Sequence, residues 1–181
     1  ISYRGQPVAL VVGPDLRTCI HIGNRLEITY ERKDPVSLDT FDDSDIIAVR
    51  NLQFGDSAGA FTTAYQITEG EYTIRPTVYR LLDTIGAAAD VQADRVDVWA
   101  TTRWLYHVQE SVATILGRNR KAVHAHLCRI DSFEDGFLWR PSLMASLAAV
   151  ASHTIGAPVR LIPSQAGEDL QPRSPSARIM Y

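Results

Sequence analysis

The chain has 181 residues, of which 45% are hydrophobic and 22% charged, and its formal net charge is −3 at pH 7. This composition suits an ordinary soluble globular chain forming one domain or two small lobes. The basic residues are scattered along the chain and form no clustered patch, so binding to nucleic acid is disfavoured. The two cysteines, Cys19 and Cys128, form no CxxC pair, and neither a signal peptide nor a long apolar span is visible. We therefore expect a cytoplasmic protein with no membrane or nucleic-acid partner.

The first 50 residues predict a β-α-β lobe. Pro7–Gly13 is a short apolar run typical of a buried strand, and Asp15 can then cap a helix that ends near Asn24. Leu26–Tyr30 alternates apolar and polar residues, as a half-buried strand does. The stretch 34–45 is polar and acidic, which indicates a solvated connection between two lobes, and we place the domain boundary near residue 50.

Residues 51–181 predict a second α/β lobe. Its elements are a short helix at Ser57–Ala64, strands at Tyr65–Ile74 and Val96–Ala100, a helix at Leu105–Leu116, a strand at Val123–Cys128, a helix from Leu143 to Ile155 and a strand at Pro158–Ile162. Gly117 and Gly156 should end the two longer helices, and Ser142 should cap the second one. Three tryptophans are expected to pack under these helices: Trp99, Trp104 and Trp139. The predicted fold is α/β (α+β mixed), with two small β-α-β lobes whose helices pack on mixed sheets.

Six short segments stand together in an order and spacing that one family shares. They are Tyr3–Val12, Phe54–Asp56, Glu69–Tyr72, Val98–Thr102, Tyr106–Glu110 and Gly156–Leu161. They resemble the molybdopterin-binding large subunits of xanthine dehydrogenases and aldehyde oxidases. The resemblance implies that residues 1–50 are the end of a hammerhead-like lobe and that 51–181 begin the molybdopterin-binding domain.

The resemblance also implies an activity. The chain would be a fragment of a molybdenum hydroxylase, an oxidoreductase that adds a water-derived oxygen to a carbon of a purine or aldehyde. Its partners would be the iron–sulfur and flavin components, as other domains or subunits, and homo-oligomerisation stays open. The chain opens at Ile1 inside a strand-like segment and stops at Tyr181 after a polar run, which also favours a fragment.

Three segments that carry the family's site are altered here. The family's Gly-Gly-x-Phe-Gly-Gly-Lys type loop falls at Asp131–Phe137, where only Gly136 keeps its character. The resemblance places cofactor contacts at Gly136, Phe133 and Arg103, where the family has Gln, and a substrate contact at Asp83. It assigns no catalytic or metal-ligating residue within the chain, because the family's catalytic glutamate lies further towards the C-terminus.

The altered loop is acidic and bulky. A loop that cradles an anion needs bare backbone N–H groups and no nearby negative charge, whereas Glu134 and Asp135 would put carboxylates against an anionic cofactor. We therefore expect no molybdopterin on this chain and no activity from it alone. Three arginines could bind a cofactor phosphate or, as we favour, pair with the loop acids Asp131, Glu134 and Asp135. They are Arg103, Arg129 and Arg140.

Other candidate sites have simpler explanations. His124, His126 and Cys128 share one face of a predicted strand and could hold zinc with a fourth ligand, but a partly exposed strand face accounts for them. The acids at 39–45 lack the spacing of a calcium loop, so a linker is favoured. Ser132 has no assignable His and Asp, so it is not expected to act as a nucleophile. The alternative function is a degenerate, non-catalytic homologue that acts as an assembly or interaction module.

Overall fold

The chain divides into two compact units in a computed structural model that describes residues 6–34, 42–75, 85–128, 138–163 and 176–181. One unit comprises residues 1–27 and 78–173, and the other comprises 28–77 and 174–181. Units defined by contacts need not coincide with domains, so the boundary predicted near residue 50 stays a prediction. Within the described ranges, no helix is long and apolar enough to cross a membrane.

The described residues form four α-helices and six strands. In chain order they are α1 (Leu16–Gly23), α2 (Ser57–Thr63), β1 (Glu71–Ile74), β2 (Ala87–Val91), β3 (Val96–Ala100), α3 (Leu105–Leu116), β4 (Val123–Leu127), α4 (Arg140–Ile155), β5 (Val159–Leu161) and β6 (Ala177–Met180). Single 3₁₀ turns lie at Asp43–Asp45 and Arg120–Ala122.

The larger unit is built on a four-stranded mixed sheet in the order β4-β3-β2-β5. β3 pairs parallel with β4, and β2 pairs antiparallel with both β3 and β5. Alternate residues of β3 are buried with the inner faces of α3 and α4 in one hydrophobic core. The core includes Val96, Val98, Ala100, Val108, Val112, Ala145 and Ala148. This arrangement confirms the α/β class, with helices packed on a mixed sheet.

Local sequence signals set several helix ends as predicted. The carboxylate of Asp15 accepts a hydrogen bond from the Thr18 N–H at 2.8 Å and so caps α1. α3 ends at Gly117 with φ 62° and α4 at Gly156 with φ 66°, a left-handed conformation that glycine adopts without a Cβ penalty.

The predicted cap at Ser142 is wrong. α4 begins earlier, with Trp139 as its N-cap residue, Arg140 first and Pro141 second, so that Ser142 is the third helical residue. The physical reason is Pro141, whose fixed φ and missing N–H suit the first turn of a helix.

The strands were predicted less well than the helices. Pro7–Gly13 and Leu26–Tyr30 form no strand, so the described residues of the first predicted lobe include α1 but no strand. The predicted strand at Tyr65–Ile74 shortens to β1, which pairs antiparallel with β6 in the smaller unit. Conversely, β2 forms at Ala87–Val91, where the alanines gave no strand signal. A strand exists only where a ladder partner lies beside it, and residue alternation does not identify that partner.

Candidate functional site

The helices α3 and α4 begin at the same edge of the larger sheet. β3 and β4 are parallel, and each is followed in the chain by one of these helices, so their carboxyl ends meet at that edge. Ligands of open α/β sheets bind outside the carboxyl ends of parallel strands. The edge is therefore the natural position for a site.

α3 begins at a tryptophan. Trp104 is the N-cap residue, and its N–H donates to the hydroxyl of buried Thr102 at 3.0 Å. The N–H of His107, the third helical residue, donates to the Trp104 carbonyl at 3.1 Å. The two rings stack with centroids 4.8 Å apart, so the indole fixes the orientation of the imidazole.

α4 begins in the same way. Trp139 is its N-cap residue, and the N–H of Ser142, again the third helical residue, donates to the Trp139 carbonyl at 3.1 Å. Pro141 between them has no N–H to donate. The side chain of Arg140 is 1% exposed, which places a guanidinium inside the fold at this edge.

One hydrogen bond joins the two helix starts. His107 Nδ1 lies 2.6 Å from Ser142 Oγ, and Ser142 is 2% exposed. We call this contact the helix-start bridge. This contact was not predicted from the sequence, although the spacing Trp-x-x-His at Trp104 and Trp-x-x-Ser at Trp139 repeats at the two helix starts and could have indicated it.

Only one of the predicted site residues falls within the described ranges. Arg103 lies at this edge, exposed, immediately after buried Thr102. Gly136, Phe133 and Asp83 lie outside the described residues. So do the loop acids Asp131, Glu134 and Asp135, together with Arg129 and Ser132, and their roles stay predictions.

The described part of the edge offers an anionic cofactor only part of the donor set of two helix starts. Neither helix has an acid in its first turn, so the helix dipoles alone would favour an anion. However, the N–H groups of His107 and Ser142 already donate to carbonyls, and Pro141 has none. The hydroxyl of Ser142 is engaged by the imidazole. Those two amides and that hydroxyl are therefore not available to a phosphate or oxo group, which leaves the first two amides of α3 and the first amide of α4.

A second polar cluster lies on the sheet face opposite the helices. The Asp97 carboxylate accepts hydrogen bonds from Arg95 Nη2 at 2.8 Å and from His126 Nε2 at 2.7 Å. Hydrogen bonds hold the pKa of the Asp97 carboxyl well below its usual value, and those from Arg95 contribute more than the one from His126. His126 also stacks on Trp99 with ring centroids 5.1 Å apart.

This cluster explains the histidine row without a metal. His126 is bound to a carboxylate and an indole, and His124 is exposed at the next position on the same face. Among the residues that the structure describes, no three histidines, cysteines or acids gather to hold a metal ion.

The expected burial of the tryptophans is wrong. Trp99, Trp104 and Trp139 are 38%, 51% and 41% exposed. Trp99 lies on the face of the sheet away from the helices, and the other two lie at the N-terminal ends of α3 and α4.

The larger unit also contains a cleft of about 330 Å³ between the segment 10–19 and the edge strand β5. Its walls are mostly apolar, with Cys19 and Arg160 among the polar exceptions. The carboxylate of Asp15 at its rim is occupied with capping α1. The cleft therefore offers no paired groups for acid–base chemistry in the part of its wall that is described.

Comparison with known proteins places this α/β fold in a class of cofactor domains. Residues 40–171 match the family model described as "Molybdopterin cofactor-binding domain". Aldehyde oxidase 3 of Mus musculus is 27% identical over 164 residues, which cover 87% of this chain and 12% of the relative. Aldehyde oxidase 1 of Oryctolagus cuniculus is 27% identical over 172 residues, which cover 92% and 13%. Reconstituted CO dehydrogenase from Oligotropha carboxidovorans aligns with a TM-score of 0.47 and 19% identity, over 61% of this chain and 14% of that chain.

The chain belongs to the molybdopterin cofactor-binding domain family, in the group of xanthine dehydrogenases and aldehyde oxidases. The resemblance read from the six sequence segments is thereby confirmed. The chain spans about an eighth of the length of these curated relatives.

Proposed function

We propose that the chain is part of the large subunit of a xanthine dehydrogenase or aldehyde oxidase type molybdenum hydroxylase. The intact assembly would hydroxylate a purine or an aldehyde, with iron–sulfur and flavin components as partners, in the cytoplasm. The observation that carries the proposal is the family match over residues 40–171, which includes the described strands β2 to β5 and both helices that start at the candidate site.

Within that assembly the chain would serve as scaffold rather than as the source of catalytic groups. The sheet β4-β3-β2-β5 and its two helices share one hydrophobic core, while the third-residue amide of each helix and the Ser142 hydroxyl are already engaged. Cofactor contacts from this chain would then be limited to the predicted Gly136, Phe133 and Arg103, with Asp83 towards the substrate.

A second candidate is a non-catalytic homologue that serves assembly or interaction. The engaged Ser142 hydroxyl and the acidic loop both favour it, because scaffold segments persist where donors for an anion are reduced. The two candidates differ in whether the natural protein carries molybdenum.

Molybdenum analysis of the full-length natural protein decides between them. The protein would be purified from a molybdenum-replete host, with mouse aldehyde oxidase 3 produced in parallel to verify cofactor loading. Stoichiometric molybdenum, together with oxidation of an aldehyde or purine by a dye acceptor, would support the hydroxylase. Folded protein without molybdenum beside a loaded control would refute the hydroxylase and support the second candidate.

A further inference from the structure

We infer that the apolar residues of the segment 46–67 dock onto the part of the large subunit that this chain does not span. The inference rests on the proposed function, because it takes the chain to be a piece of that longer polypeptide. The segment would bury its large side chains against an apolar surface flanked by basic groups. That surface would give the smaller unit the hydrophobic core that its own described residues lack.

The smaller unit has no buried residue in its described part. Every described residue of the ranges 28–77 and 174–181 is exposed or half-buried, whereas the buried core of the chain lies between Ile85 and Ala149. β1 and β6 form a two-stranded sheet, which is only marginally stable in water unless another layer covers it. The smaller unit therefore requires apolar cover from outside these residues.

The most exposed large apolar side chains are concentrated in the segment 46–67. Ile47, Leu52, Phe54 and Tyr65 are 100%, 99%, 99% and 102% exposed. Outside this segment, no large hydrophobic side chain of the described residues is more than 73% exposed. Scattered single apolar side chains are normal on a surface, but a run of fully exposed ones is typical of an interaction site, because burying each of them is favourable.

Local hydrogen bonds fix the backbone around these side chains. Before the segment, Asp42 accepts from the Ser44 N–H at 2.8 Å, and Asp45 accepts from the Asp42 N–H at 3.0 Å. Within it, the carboxylate of Asp56 accepts from the Gly59 N–H at 2.9 Å and so caps α2. The segment therefore presents its apolar side chains in a conformation that is partly formed before docking, which lowers the entropic cost of binding.

Length and charge identify the partner surface. The chain spans about an eighth of the length of its curated relatives, and the family match at 40–171 includes the whole segment. The segment is therefore part of the family's domain, and seven eighths of a relative's length is available to cover it. Residues 42–67 contain four aspartates and one arginine, so basic groups beside the apolar surface would complement them.

Hydroxyl-radical footprinting tests the docking. In the isolated 181-residue chain, Phe54 and Tyr65 should react as fast as in an unfolded peptide, because both are fully exposed. In the full-length natural protein they should react several-fold more slowly, and equal rates in the two proteins would overturn the inference. Sedimentation should show the isolated chain as a monomer. A dimer that protects Phe54 and Tyr65 would also overturn the inference, because it would assign the segment to a second copy.

A paired substitution separates docking from internal packing. Leu52→Ser combined with Phe54→Ser should leave the melting temperature of the isolated chain unchanged and raise the reactivity of Tyr65 in the folded full-length protein. The exposed Gln53 lies between these two residues, and the control Gln53→Ser should change neither value. A lower melting temperature of the isolated double variant, or an unchanged reactivity of Tyr65, would overturn the inference.

Two further variants test the chemistry of the partner surface. Leu52→Met combined with Phe54→Leu keeps both side chains apolar and should retain the protection of Tyr65 in the full-length protein. Asp43→Lys reverses a charge beside the segment and should reduce that protection. Loss of protection in the apolar variant, or no effect of Asp43→Lys, would contradict an apolar surface flanked by basic groups.

Molybdenum analysis of the same full-length protein separates this inference from the proposed function. Molybdenum without protection of Phe54 and Tyr65 overturns the docking and leaves the hydroxylase intact. Protection without molybdenum refutes the hydroxylase and supports docking within the longer polypeptide of a non-catalytic homologue.

Discussion

Replacing Asp97 by asparagine should destabilise the chain in a pH-dependent manner. The Asp97 carboxylate accepts hydrogen bonds from Arg95 and from His126 Nε2, the latter at 2.7 Å, and its side chain is 17% exposed. Asparagine keeps the shape and one acceptor but loses the charge. The expected effect is therefore the loss of two charge-assisted contacts and no cavity.

The size of this loss of stability follows from the solvent exposure of Arg95 and His126. The side chains of Arg95 and His126 are 54% and 40% exposed, so solvent screens both contacts. Charge-assisted hydrogen bonds of this kind, reduced for screening, suggest a loss of about 1–2 kcal/mol in the free energy of unfolding at pH 7.

The sign of the pH dependence follows from the lowered pKa of Asp97. A carboxyl with a lowered pKa in the folded state stabilises the fold above its unfolded pKa of about 3.9, and this contribution falls as the pH drops below that value. At pH 3 the unfolded carboxyl is mostly protonated while the folded one is still ionised, which removes about 1 kcal/mol of the contribution. The difference between wild type and Asp97→Asn should therefore be small at pH 3.

Urea unfolding at pH 7 and at pH 3 measures the loss of stability that Asp97→Asn causes at each pH. Asp90→Asn is the matched control, because Asp90 lies directly opposite Asp97 on β2 and bonds only with Gln92 among the contacts described for its side chain. Removing that like charge should cost little. An equal deficit for Asp97→Asn at both pH values would refute this reasoning, as would an Asp90→Asn deficit of the same size at pH 7.

Three further substitutions test the core and the helix ends by urea unfolding. Gly117→Ala should cost about 1 kcal/mol, because φ at this position is 62°, and an unchanged stability would mean that the helix ends elsewhere in solution. Val98→Ala should cost about 2 kcal/mol, since Val98 is fully buried between the sheet and the helices, whereas exposed Val150→Ala should cost much less. Arg140→Ala should cost about 3 kcal/mol, because the buried Arg140 side chain makes an interaction within the fold and its removal also leaves a cavity; a neutral effect would contradict that burial.

The helices were predictable because their signals are local. Asp15 begins α1, and Gly117 and Gly156 end α3 and α4. Each acts through contacts within one helical turn, so these helix ends can be read from the sequence itself. The start of α4 was misplaced at Ser142 because two local signals competed there, and the proline one residue earlier favoured the longer helix.

The strands and the bridge depended on contacts that no local pattern contains. β2 is rich in alanine and becomes a strand because β3 and β5 pair with it on either side. Pro7–Gly13 has the residues of a strand and no ladder in the described structure. The contact of His107 with Ser142 arises only when two separate helices pack together, so no local pattern contains it.

The position of β2 in the sheet also sets an expected order of folding. β2 joins β3 through a tight turn, in which the Gln92 N–H donates to the Arg95 carbonyl at 2.8 Å, whereas its other neighbour, β5, arrives only after α3, β4 and α4. Short loops close faster and at lower entropic cost than long ones. We therefore expect the β2–β3 hairpin to be formed in the transition state and β5 to join afterwards. Destabilising substitutions in β5, such as Val159→Ala, should then speed unfolding, while those in the hairpin should slow folding.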